Sequence, residues 1–62
     1  MKIYVISKSV DGVLESPEVF GEKDSKIAEE RLGELYRGID NKLNFRMDIF
    51  EGRSVFHRWS TS

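Results

Sequence analysis

Asp11-Gly12 stands between Val10 and Val13, where two runs rich in β-branched and aromatic residues meet. An Asp-Gly pair flanked by apolar residues marks a two-residue type I′ turn, because both central positions need positive φ. A chain that opens this way opens as a β-hairpin. Lys2 to Val10 supplies the first strand and Val13 to Phe20 the return. Pro17 has no N–H to give to a ladder, so the return strand is expected at a sheet edge, with a break or bulge near Ser16-Pro17. In the first strand Ile3 and Val5 point to one face, Tyr4 and Ile6 to the other. Apolar residues on both faces predict an interior strand covered at least in part on both sides.

A helix follows. Asp24 is the expected N-cap, with Ser25 as the alternative, and Glu29 and Glu30 lie near the helix start. Ala28, Leu32, Leu35, Tyr36 and Ile39 recur at the helical period and make one apolar stripe, opposite Lys26, Glu30, Glu34 and Arg37. Gly38 is expected to end the helix in the left-handed C′ position. Gly33 costs about 1 kcal/mol in a helix interior relative to Ala, and Ile27 lies off the stripe. Lys42 to Phe50 is the cleanest strand: Leu43, Phe45, Met47 and Ile49 alternate with Asn44, Arg46 and Asp48. A turn over Phe50-Glu51-Gly52-Arg53 leads to a last strand, Ser54 to Ser60.

These elements predict a single α+β domain over residues 1–62, with the order ββαββ. The helix returns the chain so that strand three lies beside strand one. Every neighbouring pair is then antiparallel, in the sheet order 2-1-3-4, with the helix on one face. The other face is expected to be half apolar, which on so small a domain predicts a homodimer or a protein partner.

Composition narrows function mostly by exclusion. The 62 residues include no cysteine and one histidine, His57, which excludes disulfides, thiolate zinc sites and multi-histidine metal sites. The net charge of −1 argues against a generic polyanion binder. No stretch is apolar enough to cross a membrane, and Met1-Lys2 leads into a strand-like run rather than a signal peptide, so a cytoplasmic protein without membrane contact is expected.

The chemistry-bearing residues make no recognised constellation. His57 sits in no nucleophile–base motif, and no serine lies in a G-x-S-x-G elbow. Asp11, Glu15, Glu18, Glu22 and Asp24 lack calcium-loop spacing and read as a solvated edge. The five glycines are scattered, with no phosphate-cradling pattern. The expectation is no catalytic residue, no metal and no cofactor.

The last hairpin is the richest segment. Lys42, Arg46, Arg53, His57 and Arg58 are interleaved with Phe45, Phe50, Phe56 and Trp59. Such a mixture on a sheet can stack bases and hold phosphates. The alternative is core aromatics and solvated arginines, and the register decides. A three-residue loop, Glu51-Gly52-Arg53, sends Val55, His57 and Trp59 to the core and sets Arg46 opposite Arg58 on the outer face. A two-residue Glu51-Gly52 loop flips the last strand and separates that pair. The acidic residues 11–24 and the basic residues 42–58 also place opposite charges on opposite sheet edges. These edges either pair between protomers or guide a partner, or they simply resist association.

Lys2-Ile-Tyr-Val-Ile6, Asp11-Gly12, Val19-Phe20 and a helix carrying Ala28 and Leu32 form a layout that resembles very small uncharacterised proteins of bacteria and their phages. Those have a short hairpin ending in Val-Phe, a helix, and one or two strands. Their usual Gly-Val-Phe is Glu18-Val19-Phe20 here. The resemblance covers the first two-thirds of the chain, carries no chemical motif, and implies an accessory protein that acts by binding another protein.

The sequence therefore points to a non-enzymatic interaction module acting on a protein partner or on itself. Its expected contact surface is the outer sheet face and edges: Tyr4, Ile6, Arg46, Phe50, Phe56 and Arg58. The second reading is a small nucleic-acid-binding protein using the last hairpin.

Overall fold

Asp11 and Gly12 have φ of 55° and 80°, and Val10 opposes Val13 across them, so the first hairpin turns where Asp-Gly places it. A computed structural model describes residues 1–38 and 42–60, the side chains of residues 59 and 60 excepted. Its elements are β1 (Lys2–Val10), β2 (Val13–Leu14), β3 (Glu18–Phe20), a 3₁₀ turn (Glu22–Asp24), α1 (Ser25–Arg37), β4 (Leu43–Glu51) and β5 (Ser54–Ser60).

The chain is α+β, with one helix on an open antiparallel sheet of five strands. The expected four-stranded ββαββ sheet is corrected in one respect. The return strand is two strands, β2 and β3, both paired to β1, and the remaining order is β2-β1-β4-β5. The cause is at Pro17, as the missing donor requires. Leu14 opposes Ser9 whereas Glu18 opposes Ile6, so one extra residue enters the return strand between them. Without it Glu18 would oppose Val5 and point to the other face, since a one-residue slip exchanges faces.

α1 lies over β1 and β3. Its Ala28, Leu32 and Leu35 are buried against Tyr4, Ile6, Phe45 and Met47, with Phe20, Leu43 and Ile49 packed at the margin. Ile6 and Met47 oppose each other at the centre and are fully buried. Burying such a side chain is worth about 1.5–3 kcal/mol. The stripe is narrower than expected at Tyr36, which is exposed; Ile39 lies outside the described residues.

Two helix-end expectations need correction. Asp24 holds the N-cap position, but its side chain makes no capping hydrogen bond. Gly38 is not left-handed: its φ is −99°, and its N–H donates to the carbonyls of Glu34 and Leu35 at 3.2 and 3.1 Å. Gly33 marks no close approach of helix to sheet either. A Cβ there would meet only the Arg37 side chain, at 3.7 Å.

The last hairpin follows neither expected loop. Glu51 opposes Ser54, leaving Gly52-Arg53 as a two-residue turn with Gly52 at φ 60°. Positive φ at the first central residue alone is the type II′ pattern. From there Phe50 opposes Val55, Ile49 opposes Phe56 and Asp48 opposes His57. The register then shifts by one, so that Met47 opposes Trp59. Arg58 is the extra residue of this bulge.

Candidate functional site

Alternation along β1 and β4 sends Tyr4, Ile6, Phe45, Met47 and Ile49 toward α1. It leaves Ile3, Val5, Ser7, Ser9, Asn44, Arg46, Asp48 and Phe50 on the opposite, uncovered face. The two edges add to that face. Val19 lies beside Val5, His57 beside Asp48, and Val55 beside Phe50. The outer face therefore has an apolar row, Ile3–Phe50–Val55, next to a mixed row, Val19–Val5–Asp48–His57. Ser7 and Arg46 follow. Val19, Val55 and Phe50 are 62, 56 and 39 % exposed. An apolar sheet face without a covering layer is the feature of this molecule that asks for an explanation.

At the centre of the face is a charge that is not solvated. Asp48 is only 8 % exposed although it belongs to the uncovered side. Arg46, two residues earlier on the same strand, donates from Nε to Oδ2 at 2.9 Å and from Nη2 to Oδ1 at 3.0 Å. Nδ1 of His57 approaches Oδ1 at 3.1 Å. An ionised carboxylate only accepts, so this contact is a hydrogen bond when Nδ1 carries a proton. The Arg46 guanidinium, then burial in opposition, then His57 govern the Asp48 carboxyl, and the net effect holds it below its ordinary value. The cluster is neutral when His57 is neutral.

The expected surface set divides. Arg46 and Phe50 lie on the outer face. Tyr4 and Ile6 do not: they are buried beneath α1, and their neighbours Ile3 and Val5 take the outer positions. Phe56 opposes Ile49 and so lies on the helix side, where it is half exposed. Arg58, displaced by the bulge, donates from Nε to Glu29 of α1 at 3.2 Å. Arg46 and Arg58 thus do not face each other, and each is held by a carboxylate. The aromatic and basic side chains of the last hairpin are parted between two faces.

Sequence reasoning set Asp48 beside Arg46 on the outer face but missed Ile3, Val5, Val19, Val55 and His57 as part of that surface. The signal was present in the first strand, where Ile3 and Val5 were the other half of a two-way choice. Lys8 shares the helix-side face with Tyr4 and Ile6. Its ammonium is neutralised by Glu18 at 3.0 Å, and Glu18 also accepts from Arg31 Nε at 2.8 Å. A lysine can therefore sit at the end of the core face.

Some charges of the acidic and basic edges are likewise paired within the molecule. Glu18 is held by Arg31 and Lys8, His57 by Asp48, and Arg58 by Glu29. A shallow cleft of about 270 Å³ runs along α1, lined by Glu29, Leu32, Gly33, Tyr36 and Arg37. Among the described residues no group of three or more His, Asp or Glu side chains is arranged to hold a metal ion. No described helix is long and apolar enough to cross a membrane. Comparison with protein families, curated protein sequences and solved structures finds no match to this chain.

Proposed function

We propose that this chain is a non-enzymatic protein-interaction module whose working surface is the open sheet face, covered in use by another protein chain. One observation carries the reading. Ile3, Val5, Val19, Phe50 and Val55 form a continuous apolar surface on the side of the sheet that α1 leaves uncovered. Scattered exposed apolar residues are normal, but a contiguous set on one face favours contact with a protein. The resemblance to small accessory proteins of bacteria and phages agrees with an action by binding alone.

The test is affinity capture from nuclease-treated lysate on immobilised wild-type chain and on Val55→Lys. Val55 is more than half exposed, so the substitution leaves the core intact. A protein retained by wild type and lost from the variant supports the reading. Equal retention on both removes the sheet face from it. Retention that disappears on nuclease treatment moves the chain to the nucleic-acid class.

A further inference from the structure

We propose that the chain covering the open face is a second copy of this protein, packed sheet against sheet across a two-fold axis. This inference rests on the interaction-module reading and names its partner. Three observations favour a copy of the same chain, docked through the face.

The first is size. The molecule measures 34 × 21 × 17 Å along its principal axes. Nine-residue strands of about 3.3 Å per residue, set about 4.8 Å apart, make the two longer axes those of the sheet plane. That outline is close to the ~800 Å² per partner of a stable interface. The outer face of one chain is therefore on the scale that the same face of a second copy would cover, and sheets stacked in this way lie about 10 Å apart.

The second is charge. An isologous interface presents one patch to itself, so a patch of net charge would repel its copy. Among the described strand residues of the outer face the formal charges are Arg46 and Asp48, bound to each other by two hydrogen bonds. With His57 neutral the patch carries no net charge and needs no counter-charge from a partner. With the axis near Val5 and Phe50, the apolar rows meet and Arg46 falls toward the rim, where its half-exposed guanidinium stays wet.

The third is that both sheet edges are guarded while the face is not. The β2/β3 edge is interrupted around Pro17, and the β5 edge carries the bulge at Arg58. Bulges, prolines and short edge strands block the addition of a further strand. Association by sheet extension is disfavoured, and the surface left for association is the face.

The experiment is sedimentation equilibrium of the untagged chain from about 1 µM to 1 mM, with Phe50→Lys, Val55→Lys and Ile27→Lys beside wild type. Far-UV circular dichroism confirms that each variant is folded. The 7.2 kDa chain is expected to rise to twice that mass with concentration. Phe50→Lys and Val55→Lys should each weaken association at least tenfold. Ile27→Lys, on the exposed side of α1, should leave it unchanged. If Phe50→Lys fails to fold, the more exposed Val55→Lys decides alone. A wild-type chain that stays monomeric throughout overturns the self-docking, while capture that depends on the face would still uphold the interaction module. A dimer indifferent to both face variants overturns the face as its interface.

Discussion

Arg46 grips Asp48 from two residues away on the same strand, through paired hydrogen bonds of 2.9 and 3.0 Å. Residues i and i+2 of a strand share a face, which makes this bidentate contact possible without any other element. The carboxylate gains a partner that neutralises it within the sheet. Arg46→Gln removes the first of the causes that hold the Asp48 carboxyl below its ordinary value of 3.8, leaving burial to act against His57. The Asp48 carboxyl, followed by carbon-detected NMR titration, should therefore rise in the variant. An unchanged titration would mean that the pair is not formed in solution.

Acid should unfold the chain by a route that two carboxylates set. Glu18 is held below its ordinary value by Arg31 first and by Lys8, against burial, and Asp48 by Arg46 and His57, against burial. A carboxyl whose folded pKa is depressed contributes stability that is present above its unfolded pKa and is lost as pH falls through the folded one. The unfolded values are about 4, so stability should be level down to about pH 5 and fall below about pH 4. Chemical denaturation at a series of pH values should show this slope. In the Glu18→Gln, Asp48→Asn double variant the slope should be much reduced, with stability lower at neutral pH.

Glu18 also tests the meaning of the extra residue at Pro17. The offset turns Glu18 to the helix side, where Arg31 and Lys8 converge on it. Glu18→Ala should cost about 1 kcal/mol, between the value of an exposed ion pair and that of a charged hydrogen bond. Deleting Ser16 should cost more, since it would turn Val19 inward and Glu18 out onto the apolar face. Urea denaturation midpoints of the two variants rank them, and the reverse order would count against the offset.

Much of the fold is legible in the residues, for reasons that differ by element. Asp11-Gly12 states its turn because few dipeptides accept positive φ at both positions. Phe45 and Met47 state their face because polar residues alternate with them. Pro17 states that the strand breaks or bulges, but not which face the residues beyond it take, since the offset is visible only against β1. Tyr4 and Ile6 are the opposite case. A strand apolar on both sides has no inside until its partners are known. The bulge at Arg58 was illegible because it shows only in the register of β5 against β4. The outer surface could be read only as far as those registers could, and so Arg46, Asp48 and Phe50 were placed while Val5 and Val55 were not.

Two glycines of similar appearance in the sequence should respond in opposite directions to alanine. Gly33 has helical surroundings, and an added Cβ would make only an ordinary contact with Arg37 at 3.7 Å. Gly33→Ala should stabilise by about 1 kcal/mol through propensity and the stiffer unfolded chain. Gly12 has open space around it but φ of +80°. There a side chain is strained by the backbone itself, and Gly12→Ala should cost about 1–2 kcal/mol. Thermal unfolding of both variants should move the midpoint up for the first and down for the second.

The centre of the core should tolerate a change of shape but not a loss of volume. Ile6 and Met47 oppose each other between β1 and β4, and no part of either reaches solvent. Ile6→Ala would remove three carbons from a site enclosed by helix and sheet, where neighbours relax only in part, and such truncations cost about 2–5 kcal/mol. A single small core seldom supplies more than about 3–5 kcal/mol in a domain of this size. Ile6→Ala should therefore leave the chain largely unfolded at 25 °C, with little amide dispersion in its NMR spectrum. Met47→Leu keeps the volume and should cost less than about 1.5 kcal/mol. If association across the outer face supports the fold, raising the protein concentration should restore part of the Ile6→Ala spectrum, because a partner that binds only the folded chain shifts the equilibrium toward it.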